Sequence, residues 1–161
     1  MRLRVVLLAG FLLVAAGWAA QPGQSVPDFR LADATGKVVT LKDLKGKPAV
    51  VTFWATWCNV CKSELPRLHA LAKEFKLNYY TLSPSDTTEA ALEYMKQFPA
   101  FVPLVALKGG DTPRTVEARW QVFGQPVTFV LDAEGKVVAR FVGRVELASF
   151  KDALELAGVQ L

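Results

Sequence analysis

The two cysteines of this chain, Cys58 and Cys61, stand three positions apart directly after an apolar run. The run, residues 49–54, is apolar on both alternating faces apart from Thr52, a pattern that predicts a strand buried on both sides. After the cysteines, apolar side chains recur at helical spacing and predict an amphipathic helix. Residues 77–83 predict the next strand, so strand, helix and strand form a right-handed parallel crossover. The cysteine pair is therefore predicted to lie where a buried strand ends and a helix begins.

The remaining chain predicts an α/β arrangement around this unit. With 161 residues, 52% of them hydrophobic, the chain is long enough for one compact domain with its own core. The turn-rich residues 33–36 predict a hairpin near the N-terminal end, and residues 132–135 predict a second hairpin. Helices are predicted at residues 87–97 and 146–156, whereas residues 43–48 and 98–113 have the composition of loops.

The first residues of the chain differ in composition from the rest. Arg2 and Arg4 precede an apolar stretch that ends in small residues, which is typical of a secretory signal. Residues 1–19 are therefore predicted to be a signal peptide cleaved after Ala19. Because the uncharged run is just long enough to span a bilayer, an uncleaved membrane anchor is the alternative. Either interpretation predicts export of the domain formed by residues 20–161.

Disulfides persist outside the cytosol, so an exported cysteine pair is expected to serve either as a structural disulfide or as a catalyst. A bond that closes so short a loop removes little entropy from the unfolded chain, so catalysis is a better use than stapling. A helix that starts near Cys58 directs backbone N–H groups at its sulfur and lowers the pKa of its thiol below the ordinary value of about 8.5. Cys58 is predicted to be the nucleophile and Cys61 the buried resolving thiol.

Glu64, His69 and Lys62 lie near the pair in sequence and are the candidates for further catalytic or binding groups. Glu64 lies one turn after Cys61, where a carboxylate either shuttles the proton of that thiol or complements the helix dipole. A closed zinc site needs four ligands and His69 is the one histidine of the chain, so no metal is predicted. Lys62 follows Cys61 where covalent haem attachment needs histidine. The net charge of +4 is too small to predict nucleic acid binding.

Several segments beyond the first one follow a known family pattern in the family's order. They are Val26-Pro27-Asp28-Phe29, the Gly36 turn, residues 41–48, Phe53-Trp54-Ala55-Thr56-Trp57-Cys58, Glu64-Leu65-Pro66, and Gly124-Gln125-Pro126 followed by Phe129-Val130-Leu131-Asp132. In these segments the chain resembles the thioredoxin superfamily and, within it, the exported TlpA/ResA-type thiol-disulfide oxidoreductases, which include the cytochrome c maturation thioredoxins. The resemblance implies a thioredoxin-like α/β fold, with a central mixed sheet flanked by helices and an added N-terminal β-hairpin.

The resemblance also implies roles for residues that spacing alone leaves open. Pro126 corresponds to the cis-proline that faces the dithiol, and Gln125 would offer backbone hydrogen bonds to an extended substrate segment. Trp57 would contribute to substrate binding. Glu64 corresponds to the acid that exported members carry after the dithiol, which favours the proton-shuttle interpretation.

Three positions depart from the family pattern. Thr52 stands where thioredoxin has a buried acid, so proton handling is expected to depend on Glu64 or on water. Val60 stands where reducing members often have proline, and Gln125 where many have an apolar residue. We expect these positions to influence redox poise or the choice of partner.

The function predicted from the sequence is that of an exported protein-disulfide reductase, periplasmic or at the outer face of the cytoplasmic membrane. It would act on protein disulfides such as those of apocytochrome c or copper-site proteins and be reduced by a membrane thiol donor. A monomer with no cofactor beyond the Cys58–Cys61 disulfide is expected. The main alternative is a thiol oxidase or isomerase on the same scaffold. A peroxiredoxin would need threonine at Ala55, and related copper chaperones have a wider cysteine spacing with a more distant histidine.

Overall fold

The computed structural model describes residues 20–161, and the predicted signal peptide or anchor at residues 1–19 lies outside this range. Within the described residues, no helix is both long and apolar enough to cross a bilayer. The elements follow in the order β1 (Arg30–Ala32), β2 (Val38–Thr40), α1 (Leu41–Leu44), β3 (Ala49–Phe53), α2 (Asn59–Glu74), β4 (Asn78–Leu82), α3 (Thr88–Met95), β5 (Val102–Leu104), α4 (Pro113–Arg119), β6 (Val127–Leu131), β7 (Val137–Val142) and α5 (Leu147–Leu156).

The central sheet has the strand order β5-β4-β3-β6-β7. β3 pairs in parallel with β4, and β4 pairs in parallel with β5, whereas β6 and β7 continue the sheet in antiparallel pairs. Every residue of β3 is buried, as its continuous apolar run predicts. The predicted parallel crossover is confirmed as β3-α2-β4, and the predicted mixed sheet flanked by helices is confirmed with it.

A separate hairpin, β1 and β2, precedes the central sheet. In its turn the carboxylate of Asp33 accepts a hydrogen bond from the backbone N–H of Thr35 at 2.8 Å. Gly36 has a φ of 86°, in the left-handed region that favours glycine. Two backbone hydrogen bonds between Ala32 and Val105, at 2.8 and 3.0 Å, attach the hairpin to the rest of the domain. The predicted N-terminal β-hairpin is confirmed.

Residues 98–113 were predicted to be loop-like, and this is wrong for Val102–Leu104, which form β5. Pro103 stands in the middle of this three-residue strand. Proline lacks the N–H group that a central strand needs, so an edge strand that contains it has a weak sequence signal. Helix α4 was not predicted either, although Thr112 caps it and Pro113 opens it, both of which are readable start signals.

Two helix starts also differ from their predictions. The single-turn helix α1 begins ahead of residues 43–48, which were predicted as loop, and extends into them. Helix α3 begins at Thr88, one residue after the predicted start at residue 87, and Thr87 caps it. Asp86 does not cap α3 in this structure, and its carboxylate accepts hydrogen bonds from Thr56 instead.

Side chains of the central sheet alternate between two buried faces, as the pleat of a strand requires. The face that packs against the hairpin, α1 and α4 is called the aromatic face, and the face that packs against α2, α3 and α5 is called the dithiol face. The aromatic face includes Phe29, Val51, Phe53, Leu82, Val116, Trp120, Phe129 and Leu131. The dithiol face includes Val50, Trp54, Cys61, Leu65, Tyr79, Met95, Val130, Phe150 and Leu154.

Candidate active site

Cys58 and Cys61 form a disulfide where β3 leads into α2, with their Cα atoms 5.2 Å apart. Cys58 is the N-cap residue of α2, and its Sγ accepts a hydrogen bond from the backbone N–H of Cys61 at 3.1 Å. The exposed fractions are 5% for Cys58 and 1% for Cys61. A helix N-terminus therefore directs a backbone donor at the first sulfur, and such an environment stabilises negative charge on it.

The peptide bond between Gln125 and Pro126 is cis and faces this disulfide. The carbonyl oxygen of Gln125 lies 3.6 Å from the Sγ of Cys58. Gly124, directly before it, has a φ of 103°, which favours glycine and turns the chain into the cis bond. The side chain of Gln125 points the other way, and its Nε2 donates to the Oε1 of Glu117. The backbone of Gln125, and not its amide side chain, therefore borders the sulfur.

The turn before the disulfide is held by the chain that follows β4. The backbone N–H and the Oγ1 of Thr56 donate to the two carboxylate oxygens of Asp86, at 2.8 and 2.5 Å. Trp57 is 61% exposed, and its Nε1 donates to the Oγ of Ser85 at 3.0 Å. Burial alone would raise the pKa of Asp86, but hydrogen bonds from Ser83 and Thr56 outweigh it and hold the pKa below its usual value.

Glu64 is 2% exposed and lies on the first turns of α2. Its Oε2 accepts hydrogen bonds from the Nη2 of Arg67 at 2.8 Å and from the backbone N–H of Val145 at 3.0 Å. The Nη1 of Arg144 lies 3.9 Å from its Oε1. Each of these groups is a donor, so the surroundings of Glu64 suit a carboxylate that accepts hydrogen bonds.

Cys61 and Glu64 line one narrow gap together with Thr52, Pro126 and Thr128. The Oγ1 of Thr52, where thioredoxin has an acid, lies 2.7 Å from the Oη of Tyr79 and 2.8 Å from the Oγ1 of Thr128. Burial raises the pKa of Tyr79, so its phenol stays protonated. Neutral hydroxyl groups thus occupy this place behind the dithiol.

His69 lies away from the disulfide. Its Nε2 accepts a hydrogen bond from the backbone N–H of Ala100 at 3.2 Å, and its ring packs against Phe98 and Phe101. Burial, with a smaller contribution from Lys73, lowers the pKa of His69. The histidine therefore serves the packing of α2 against the segment before β5.

Several site residues were missed by sequence reasoning. Arg67 follows Glu64 at a spacing that places both on one helix face, so this pair was readable. Thr128 interrupts an apolar strand as Thr52 does, a second readable signal. Asp86 left no signal, because its partner Thr56 is 30 residues away in sequence.

Residues 22–140 match the profile of the AhpC/TSA family. This match spans well over half of the sequence. The chain belongs to the AhpC/TSA family.

Two relatives whose names describe thiol-disulfide exchange are similar to this chain over most of its length. The thiol-disulfide oxidoreductase ResA of Bacillus subtilis (strain 168) is 34% identical over 137 residues, which cover 83% of this chain and 74% of that protein. The thiol:disulfide interchange protein DsbE of Pseudomonas fluorescens biotype C is 34% identical over 165 residues, which cover 94% of this chain and 90% of that protein.

One solved structure is similar to this chain in fold as well as in sequence. The thio-disulfide isomerase from Thermus thermophilus is 50% identical and superposes with a TM-score of 0.81, covering 88% of this chain and 99% of that chain. The chain is therefore a thioredoxin-like thiol-disulfide oxidoreductase of the ResA and DsbE type, and the predicted fold family and enzyme class are confirmed.

Proposed function

We propose that this protein is an exported reductase of protein disulfides, with Cys58 as the nucleophile and Cys61 as the resolving thiol. The observation that carries the proposal is the position of Cys58 as N-cap of α2, with the Gln125 carbonyl 3.6 Å from its sulfur. A thiolate at a helix N-terminus is stabilised and attacks disulfides readily. Cys61 is the more deeply buried of the two cysteines, which suits a thiol that reacts only within the protein.

The reaction begins with the reduced protein. The Cys58 thiolate attacks one sulfur of the substrate disulfide, forming a mixed disulfide and releasing the first substrate cysteine as a thiolate. Cys61 then loses its proton to Glu64 and attacks the Sγ of Cys58. The second substrate cysteine leaves, and Cys58 and Cys61 remain joined as a disulfide. Two electrons pass from the protein to its substrate, and a membrane thiol donor returns them.

Substrate binding in this proposal uses the groups that border the disulfide. The backbone of Gln125, ahead of the cis bond to Pro126, would hydrogen-bond an extended substrate segment in the manner of an added strand. Trp57, with most of its ring surface exposed, would pack against side chains next to the substrate cysteine. Both contacts depend on backbone and apolar surface and so allow different protein substrates.

We place the enzyme outside the cytosol, in the periplasm or at the outer face of the cytoplasmic membrane, acting as a monomer. The signal-like composition of residues 1–19 supports export. The resemblance to cytochrome c maturation thioredoxins supports apocytochrome c or copper-site proteins as substrates. A fusion of residues 1–25 to a reporter that is active only after export tests the location, and a reporter that stays cytosolic would contradict it.

Trapping with two cysteine variants tests the assignment of the sulfurs. Cys61→Ser should accumulate a mixed disulfide with its substrate, because nothing resolves it, whereas Cys58→Ser should accumulate none and lose reduction activity. The adducts are separated on non-reducing gels and identified by mass spectrometry. Trapping by Cys58→Ser alone would reverse the two roles.

Isomerase activity is the second candidate, because the similar Thermus thermophilus structure is described as an isomerase. The two functions differ in whether the dithiol is consumed. An isomerase reactivates a protein with scrambled disulfides at catalytic concentration without a reductant, whereas a reductase needs a continuous supply of electrons. Measuring refolding yield with and without a thiol donor, together with the reduction potential of the Cys58–Cys61 pair, separates them.

A further inference from the structure

A buried carboxylate needs compensating charge and hydrogen bonds, because leaving water is costly for an ion. Glu64 meets this requirement through two partners distant from each other in sequence. One is Arg67, one turn later on α2, and the other is the backbone of Val145, 81 residues away in the segment between β7 and α5. Arg67 is the charged partner within hydrogen-bond distance, so compensation of the buried charge of Glu64 depends on it.

One nitrogen of the Arg67 side chain contacts both Glu64 and Val145. Its Nη2 donates to the Oε2 of Glu64 at 2.8 Å and also to the carbonyl oxygen of Val145. The backbone N–H of Val145 donates to the same Oε2 at 3.0 Å. Glu64, Arg67 and Val145 therefore form a closed ring of three hydrogen bonds. Such a ring fixes the rotation of the carboxylate.

The ring leaves the two oxygens of Glu64 in different surroundings. Oε2 accepts both hydrogen bonds, whereas Oε1 accepts none from the described residues and lies 3.9 Å from the Nη1 of Arg144. The Arg144 side chain is 70% exposed, so water screens its charge. Oε1 is therefore the oxygen of Glu64 that no described residue hydrogen-bonds, and Glu64 lines the same narrow gap as Cys61.

The same segment also contacts the cis-proline. The backbone N–H of Gly143 donates to the carbonyl oxygen of Pro126 at 2.8 Å, two residues before Val145. Arg67 thus ties the first turns of α2 to the segment that supports Pro126. The contacts of Arg67 therefore fix the two sides of the gap beside Cys61 relative to each other.

We propose that Arg67 is a positioning residue for the resolving step, holding Glu64 so that Oε1 accepts the proton of Cys61. The inference rests on the proposed function, in which Cys61 resolves the mixed disulfide. Arg67 touches neither sulfur in this role and acts through Glu64. Besides Cys61, the charged or titratable groups near Glu64 within residues 20–161 are Arg67 from α2, Arg144 from the segment after β7, and the neutral phenol of Tyr79 from β4.

Arg67→Met tests this role, with Arg67→Lys as the conservative variant. Arg119→Met is the matched control. Arg119 also lies on a helix and pairs with a carboxylate, that of Asp111, and its side chain is 41% exposed against 40% for Arg67. The full chain is reduced and mixed with a disulfide substrate, and the rates of mixed-disulfide formation and release are followed over a range of pH by acid quenching. Thermal unfolding of each variant checks that it folds.

We expect Arg67→Met to slow the release step about tenfold at neutral pH, because the loss of one hydrogen bond to a charged group typically has this size. The release rate should also rise with pH over a higher pH range than in the parent, because Glu64 loses its cationic partner. Formation of the mixed disulfide by Cys58 should keep its rate. Arg67→Lys should recover part of the release rate, and Arg119→Met should match the parent in both steps. In a Glu64→Gln background, Arg67→Met should add no further slowing.

The inference is overturned if Arg67→Met releases substrate with the pH dependence of Arg119→Met. It is also overturned if Arg67→Met slows a Glu64→Gln protein as much as the parent, because Arg67 would then act without Glu64. These failures leave the proposed function intact as long as Cys61→Ser traps its substrate. Failure of that trapping removes the resolving role of Cys61 itself.

Discussion

The two faces of the central sheet are built from the same strands but treat buried polar atoms differently. On the aromatic face, Phe53, Trp120 and Phe129 pack edge to face with ring centroids 5.3 to 6.1 Å apart. The polar atom of Trp120 is used at the margin, where its Nε1 donates to the carbonyl of Pro27 at 2.9 Å. This face is held by apolar burial and ring geometry.

The dithiol face instead carries a row of threonines directly behind the site. Thr81, Thr52 and Thr128 are register partners on β4, β3 and β6. Thr52 hydrogen-bonds on both sides, to Tyr79 and to Thr128, whereas the Oγ1 of Thr81 has no partner among the described residues. The dithiol face thus buries hydroxyl groups beside Cys61, whereas Phe53, Trp120 and Phe129 bury ring surface on the other face.

The largest expected effect comes from the aromatic face. Trp120→Ala should lower the free energy of unfolding by about 3–5 kcal/mol, because the removed indole leaves a cavity. Urea denaturation at fixed redox state measures the loss. The rate of disulfide reduction per folded molecule should stay at the parent value. Trp120→Phe keeps most of the ring volume. If this variant reduced substrate disulfides more slowly per folded molecule than the parent, the aromatic face would also serve catalysis and the two faces would not differ in role.

A middle-sized effect is expected in the threonine row. Thr52→Val leaves the hydroxyl groups of Tyr79 and Thr128 without their common partner, which should lower the free energy of unfolding by about 1–3 kcal/mol. Thr81→Val is the matched control, because it removes a buried hydroxyl that has no partner, and its stability should equal or exceed that of the parent. Urea denaturation compares them. Equal losses in both variants would mean that volume, and not hydrogen bonding, decides stability here.

The smallest effect is expected at the rim, where Asp86 holds the turn before Cys58. The pKa of Asp86 is lowered in the folded protein, so its contribution is fully present above the unfolded pKa of about 3.9 and is lost as the pH falls below it. Asp86→Asn should therefore cost about 0.5–1 kcal/mol at neutral pH, a value reduced by solvent screening, and almost nothing in acid.

Urea denaturation at several pH values tests the rim. Asp43→Asn offers a comparison, because the pKa of Asp43 is also lowered, chiefly by its hydrogen bond from Thr40, at a capping position far from the disulfide in sequence. A stability difference between Asp86→Asn and the parent that persists in acid would show that the charge of Asp86 is not the cause.

Much of the fold could be predicted because its signals are local. The unbroken apolar run of β3 and the helical spacing after Cys58 each lie within one element, and the turn at residues 33–36 needs only its own side chains. β5 could not be predicted, because a three-residue strand with Pro103 at its centre has no periodicity to read. Its strand character comes from pairing with β4.

The dithiol and its place at the start of a helix can be read from one short segment of the chain, because the cysteine spacing and the helical pattern both lie within it. The surroundings of the dithiol come from distant segments that meet in the fold. The carbonyl of Gln125 reaches Cys58 across 67 residues, and Val145 reaches Glu64 across 81. Such contacts depend on strand order and register, which are set by burial of the two faces together and by no segment alone.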